Sequence, residues 1–315
     1  MERDEDLGLF GPDSVTWRIH AEPVLLVAGL RALYLQALHP RAMAGVAQNS
    51  TYRSDPWGRL MRTARYVATV VYGTTAQAEA AGRRLSALHA RMTARDPFTG
   101  EVFRIDEPEL LRWVHVTEVE SFVTTAVRAG LNLSAADIDL YYTEQRRAAA
   151  LVGLDPATVP GTAAAVDRYY REIRGDLRMT RDAAATALFL TVPPAPRQLS
   201  LPLRLSLDIG PARLLYSAVA TTAFGLLPRW ARRMYGGLGL PATDLSAAMA
   251  VRALRHAINA VPRRLLEGPI YRAAMARAAR VSGAAQPAGG PASRDSTASQ
   301  GSLTGASAPL GHIRR

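Results

Sequence analysis

The chain reads as an all-α, single-domain multi-helix bundle, and three observations carry that reading. Apolar residues recur at helical spacing along most of the 315 residues, while runs that alternate as strands do are very few. Caps, prolines at first turns and glycines after last turns punctuate the pattern. Hydrophobic residues make up 48% of the chain and there is no cysteine, so a large apolar core must hold the fold without disulfides.

Residues 1–7 are read as a flexible acidic N-terminus, 8–281 as the helical domain and 282–315 as a disordered tail without apolar period. The run 23–38 is a buried helix that stops at His39-Pro40, because proline disfavours the α conformation in the residue before it. Asp55 as cap and Pro56 at the first helical position open a helix that runs to about Tyr72 and ends at Gly73. A third helix is expected over about 76–95, ending in the turn Asp96-Pro-Phe-Thr-Gly100. A fourth opens near Asp106-Glu-Pro-Glu109 and runs to about Ala129, and Ser134 caps a fifth through Val152. After the Asp155-Pro156 turn, helices are expected at about 162–174, 180–190, 210–226, 228–235, 243–260 and 268–281, with the proline-rich stretch 192–197 as an internal crossover.

All 38 basic residues are arginine, which with abundant alanine points to GC-rich, bacterial coding. The formal charge of +11 is spread along the chain beside Asp and Glu, with no aromatic-interleaved basic block, so no specific nucleic-acid partner is expected. The acidic N-terminus has no signal-peptide pattern, and 23–38, broken by Arg31, is too short to span a bilayer. A cytoplasmic protein is expected. The last helix, with Arg272, Arg277 and Arg280, offers either weak peripheral contact with anionic lipid or the solvated basic face of a bundle helix.

Dinucleotide and Walker loops, His-Glu-x-x-His and Gly-x-Ser-x-Gly are absent, as are the paired Glu-x-x-His elements of di-iron bundles. Without cysteine, any metal must use His, Met, Tyr, carboxylates or an exogenous group. Of six histidines, His312 falls in the tail, His256 has only arginines for polar company and His20 has no obvious partner. His89 lies on the edge of the stripe Ala78, Ala81, Leu85, Leu88, Met92, where an imidazole must be hydrogen-bonded or ligate something. His115 shares a face with Leu111, Val119, Phe122 and Ala126, and Glu118 lies one turn on. That carboxylate either orients the ring or forms a buried His–Glu hydrogen bond that fixes packing. Arg59 and Thr63, at i and i+4, either hold a carboxylate or are an exposed Arg and a Thr bonded back to its own helix. His39 stands at a helix C-terminus, where the dipole favours an imidazolium, as a cap or a pocket residue.

Several segments taken in order resemble a known family. They are Leu35-Gln-Ala-Leu-His-Pro40, Tyr52-Arg-Ser-Asp-Pro56, Gly58-Arg-Leu-Met-Arg-Thr63, Leu88-His-Ala-Arg91 and Asp106-Glu-Pro-Glu-Leu-Leu-Arg-Trp-Val-His115. Over roughly residues 8–280 the chain is similar to the rubber oxygenases (latex-clearing proteins) and mpaB-type oxygenases. The resemblance implies an all-helical fold that binds haem b and uses dioxygen to cleave a C=C bond in an unsaturated apolar substrate. It matches Arg59 and Thr63 to the family's Arg-x-x-x-Thr element and His89 to the proximal iron ligand, with His115 as second choice. A distal lysine of some members falls on Arg62, which is protonated at any working pH and does not ligate iron as an amine does. His39 or an open site then takes the distal side. The alternative is a helical haem- or lipid-binding protein without turnover.

Overall fold

Serine 14 caps α1 (Val15–His20) by accepting from the Trp17 N–H, and the chain then enters α2 (Leu25–Ala37). Apolar nearly all round, α2 buries Val27, Leu30, Tyr34 and Leu35 and is the axis of the bundle. The structure is a computed structural model that describes residues 6–192 and 211–284. Parts of three expectations, the N-terminus at 1–5, the crossover at 193–197 and the tail at 285–315, lie outside the described residues.

The proline that stops α2 also opens α3 (Pro40–Asn49), a helix the sequence reading passed over. This changes the reasoning on His39. Instead of ending a helix as an imidazolium, it caps α3, its Nδ1 accepting from the Ala42 N–H at 3.3 Å. An accepting nitrogen must be unprotonated, and burial lowers the His39 pKa against the pull of Asp176 and Glu109. α4 (Pro56–Tyr72) follows with Asp55 as its cap and Pro56 in its first turn, as expected. α5 (Thr75–His89) opens on a Thr74–Gln77 capping box and ends well before residue 95.

Thr93–Arg95 instead forms β1, paired antiparallel with β2 (Val102–Arg104), Ala94 opposite Phe103. Two causes outweigh helical periodicity here. Pro97 bars the α conformation before it, and α3 supplies side chains that complete the strand. Gln48 donates to the Arg95 carbonyl and accepts from its N–H, both at 2.9 Å, and Asn49 donates to the Thr93 carbonyl. This hairpin is the one sheet among the described residues, and the fold is all-α.

α6 (Pro108–Arg128) packs along α2, and α7 (Ala135–Leu151), capped by Ser134, packs on α1, α5 and α6. α8 (Ala163–Glu172) and α9 (Arg181–Thr191) start on Thr162 and Thr180. α10 (Pro211–Gly225), α11 (Arg229–Met234) and α12 (Pro241–Asn259) close the far side of α2. A short α13 (Arg263–Leu266) leads to α14 (Pro269–Ala284), which runs past the boundary expected at 281. α14 packs on α4 through buried Ala274 and Ala278, and Arg277 donates to the Tyr72 carbonyl. Its arginine face is therefore partly spent on the bundle. Among the described residues no helix is long and apolar enough to cross a membrane.

At the centre, Arg31 is buried and makes a bidentate pair with Glu120, while its Nε donates to the Leu226 carbonyl and Nη1 to Ser121. Tyr170 donates to the same carboxylate. One α2 arginine thus ties α2 to α6 and to the end of α10, and a buried charge of this kind is tolerable only when so fully paired.

Candidate functional site

α4 is fastened at both ends and bare in the middle. Its last turn is buried through Val70, Val71 and Tyr72, with the Trp17 indole donating to the Val71 carbonyl at 2.9 Å. At its first turn the Trp57 ring meets Tyr216 edge-on at 5.6 Å. Between them, residues 61 to 65 are all exposed. At about 100° per residue, five consecutive positions go right round the helix, so nothing packs on α4 at that level from any side. α6 packs against α2, α7, α1, α3 and α12, but has no packed interface with α4 or α5. The gap bounded by α4, α5 and α6 is the candidate site.

Three groups on these helices lack a partner among the described residues. Arg59 is largely enclosed and has no carboxylate partner among the described residues. Burial lowers its pKa, Arg62 adds to the effect and Tyr52 opposes it. His89, the last residue of α5, has a buried Nδ1 with no hydrogen bond; burial lowers its pKa, with Asp106 opposing. His115 has a buried Nε2 with no hydrogen bond, and burial pushes its pKa down to about 4. That nitrogen abuts a crevice lined by Val119, Tyr142, Val159, Pro160 and Val166 that is too narrow for a water molecule. The expected His115–Glu118 hydrogen bond does not form. Glu118 has no hydrogen-bond partner, burial pushes its pKa up to about 7, and its charge is felt by Tyr66 of α4 and Tyr141 of α7.

The remaining candidates are placed differently. Thr63 is exposed and bonds back to the Arg59 carbonyl at 3.1 Å. Arg62 is exposed and pairs with Asp55 at 3.1 Å. His39 lies against the Trp113 ring at 6.1 Å, at the first turns of α6. His20 does have a partner: its Nε2 lies 3.2 Å from the Tyr141 hydroxyl, and burial pushes it down to about 3. His256 is exposed on α12. Among the described residues, no three His, Asp or Glu side chains gather as a metal cluster would. Tyr66 was missed by the sequence reading. It stands seven residues after Arg59, on nearly the same helical face, and that spacing was the available signal. On the other side of α2 lies a cavity of about 340 Å³, lined by Tyr34, Ala187, Leu188, Thr191, Phe224 and Tyr235 and by no charged group.

Fold and site define an all-α protein in which α4 stands bare in its middle and, among the described residues, imidazoles and a guanidinium on α4, α5 and α6 are unpaired. The chain belongs to the ER-bound oxygenase mpaB/B'/Rubber oxygenase catalytic-domain family, whose model matches residues 17–260. That span runs from α1 into the end of α12 and contains every candidate residue named above. No curated protein and no solved structure matches the chain. Membership makes it an oxygenase-family protein, for which an apolar substrate and dioxygen are the fitting reactants.

Proposed function

We propose that the protein is a cytoplasmic haem b-dependent oxygenase that cleaves a C=C bond in an isoprenoid or lipid-like substrate with dioxygen. The observation that carries this reading is the bare middle of α4, with a half-buried guanidinium on that helix and buried imidazole nitrogens on α5 and α6 that have no partner among the described residues. Such groups are costly unless something completes them. The residues fit a haem. A macrocycle brings four of its own nitrogens, so one imidazole suffices where no protein cluster exists. Its carboxylates suit a cation such as Arg59.

In this reading His89 would hold the iron, with His115 as the second choice, Arg59 would hold a propionate, and Arg62 and Thr63 would border the cofactor from α4. When bound, the haem supplies the activation of dioxygen. The protein supplies the rest. Burial keeps His89 neutral and able to donate its lone pair. Glu118, with a pKa near neutrality, is able to take up or release a proton on the wall of the gap. His39 is kept neutral at the α2–α3 junction beside the first turns of α6.

The test is the optical spectrum of protein produced with haem supplied. A Soret band is expected, and His89→Ala should lose most bound haem while His115→Ala keeps it. Absence of iron and porphyrin refutes the reading, and the reverse pattern moves the ligand to His115. A second reading, an apolar-ligand carrier without turnover, is favoured by the uncharged cavity of about 340 Å³ on the far side of α2. Dioxygen uptake with candidate alkenes separates the two, since a carrier consumes none.

A further inference from the structure

Residues 261 to 266 are exposed without exception, and they carry three apolar side chains and two arginines. Val261 is 37% exposed, Leu265 72% and Leu266 47%. A lone exposed leucine means nothing. Here the apolar groups lie next to cations in sequence, on an exposed turn between α12 and α14. Among the described residues α13 has no extensive contact with another element, and Pro262 before it and Pro269 after Gly268 bracket it with fixed backbone. Arg263 and Arg264 have no ion-pair partner among the described residues, although Glu267 is close in sequence. The projection begins where the family match ends, at residue 260, so it belongs to this chain and not to the matched domain.

We propose that the α12–α14 corner docks on an anionic lipid bilayer, with Leu265 and Leu266 entering the boundary between headgroups and acyl chains and Arg263 and Arg264 meeting lipid phosphates. The chemistry favours this occupant over a protein. A stable protein interface needs a broad patch, on the order of 800 Å² per partner, with charge depleted at its centre. A six-residue protrusion with leucines beside unpaired arginines is satisfied on both counts at the lipid interface, where apolar tips enter and long cationic side chains reach the phosphates. The formal charge of +11 adds long-range attraction to an anionic surface. The docking places the proposed oxygenase where an apolar substrate dissolves; only this clause rests on the proposed function.

The experiment is flotation of the full chain with vesicles of phosphatidylcholine alone and with vesicles half of phosphatidylglycerol. Wild type should float with the anionic vesicles and not with the neutral ones. Arg263→Gln with Arg264→Gln should lower partition by roughly thirtyfold, from about 1 kcal/mol per basic residue at an anionic surface. Leu265→Ser with Leu266→Ser should lower it by about tenfold or more. The control pair Arg83→Gln with Arg84→Gln, on exposed α5, should change it little. Failure of wild type to float, or an equal loss in the control pair, overturns the proposal. So does a wild-type dimer in sedimentation velocity that the leucine variant abolishes, because the corner is then a protein interface. Flotation has no cofactor readout: protein that floats but shows no Soret band sinks the oxygenase reading and leaves this one standing.

Discussion

Glu118 gives the sharpest test of the site's electrostatics. Its carboxyl is half-buried with no hydrogen bond among the described residues, and burial raises its pKa from the ordinary 4.5 to about 7. A group with a raised folded pKa stabilises the fold below its unfolded pKa and loses that contribution as pH rises through the folded one. The Glu118 contribution to wild-type stability should therefore fall as pH rises from about 4.5 to about 7, by up to roughly 3 kcal/mol at about 1.36 kcal/mol per pKa unit. Glu118→Gln keeps the shape and removes the proton. Its stability relative to wild type should thus be near zero at about pH 4 and climb by up to roughly 3 kcal/mol by about pH 8.

The assay is urea unfolding of both proteins at matched pH values, with m checked for constancy. His115 and His20 titrate alike in both and cancel in the difference. Tyr66 and Tyr141, the groups whose charge couples to Glu118, are held above their ordinary value of 10 and stay neutral throughout. Curves that run parallel to within about 0.5 kcal/mol would mean that Glu118 is solvated, and the enclosed gap would lose its main electrostatic support.

Four further outcomes follow from the structure. The histidines act in the opposite sense: His115 and His20 are depressed to about 4 and about 3, so the unfolded chain takes up protons that the fold refuses, and stability should fall as pH drops below about 6.5. The double variant His20→Gln, His115→Gln should flatten that acid limb in pH-dependent unfolding, and an unchanged limb refutes the assignment. Glu120→Ala leaves Arg31 buried without its counter-charge and should cost about 3–5 kcal/mol in denaturant unfolding; a loss below about 1 kcal/mol would show that water reaches the pair. Gly82→Ala places a Cβ 2.6 Å from the Leu151 carbonyl oxygen, where α5 crosses α7, and should cost about 1–3 kcal/mol. Gly29→Ala, with nothing within 4 Å, should instead stabilise α2 by about 0.5–1 kcal/mol, both read from thermal or urea midpoints.

The parts of the fold legible in the sequence are those set by chemistry within one turn. Asp55, Ser134, Thr162 and Thr180 cap helices because their side chains accept from N–H groups two or three residues on, a contact that spacing alone reveals. The hairpin at 93–104 was not legible, because its first strand is completed by Gln48 and Asn49 from another helix. His39 was misjudged for a related reason: Pro40 ends one helix and begins the next, and a stop signal was read where a start also stood. Arg59, His89 and His115 could be nominated from their stripes. That α4 stands clear of α6, and that Tyr66 joins the gap, depends on which helices pack together, which periodicity does not encode.

The same contrast explains why the site sits where it does. α2 and α6 are locked by the Arg31–Glu120 pair and by the Trp113 indole donating to the Gln36 carbonyl, so one wall of the gap is rigid. α4, the opposite wall, is held only at its two ends. A group that enters between them meets a fixed pair of helices on one side and a helix free to adjust on the other. Regions that open for ligands are drawn from the least stabilised parts of a fold, and here that part is the middle of α4. The unpaired Arg59 then fits a division of labour: the core cation Arg31 has its partners on α6 and at the end of α10, while the cation on the loose wall has none among the described residues.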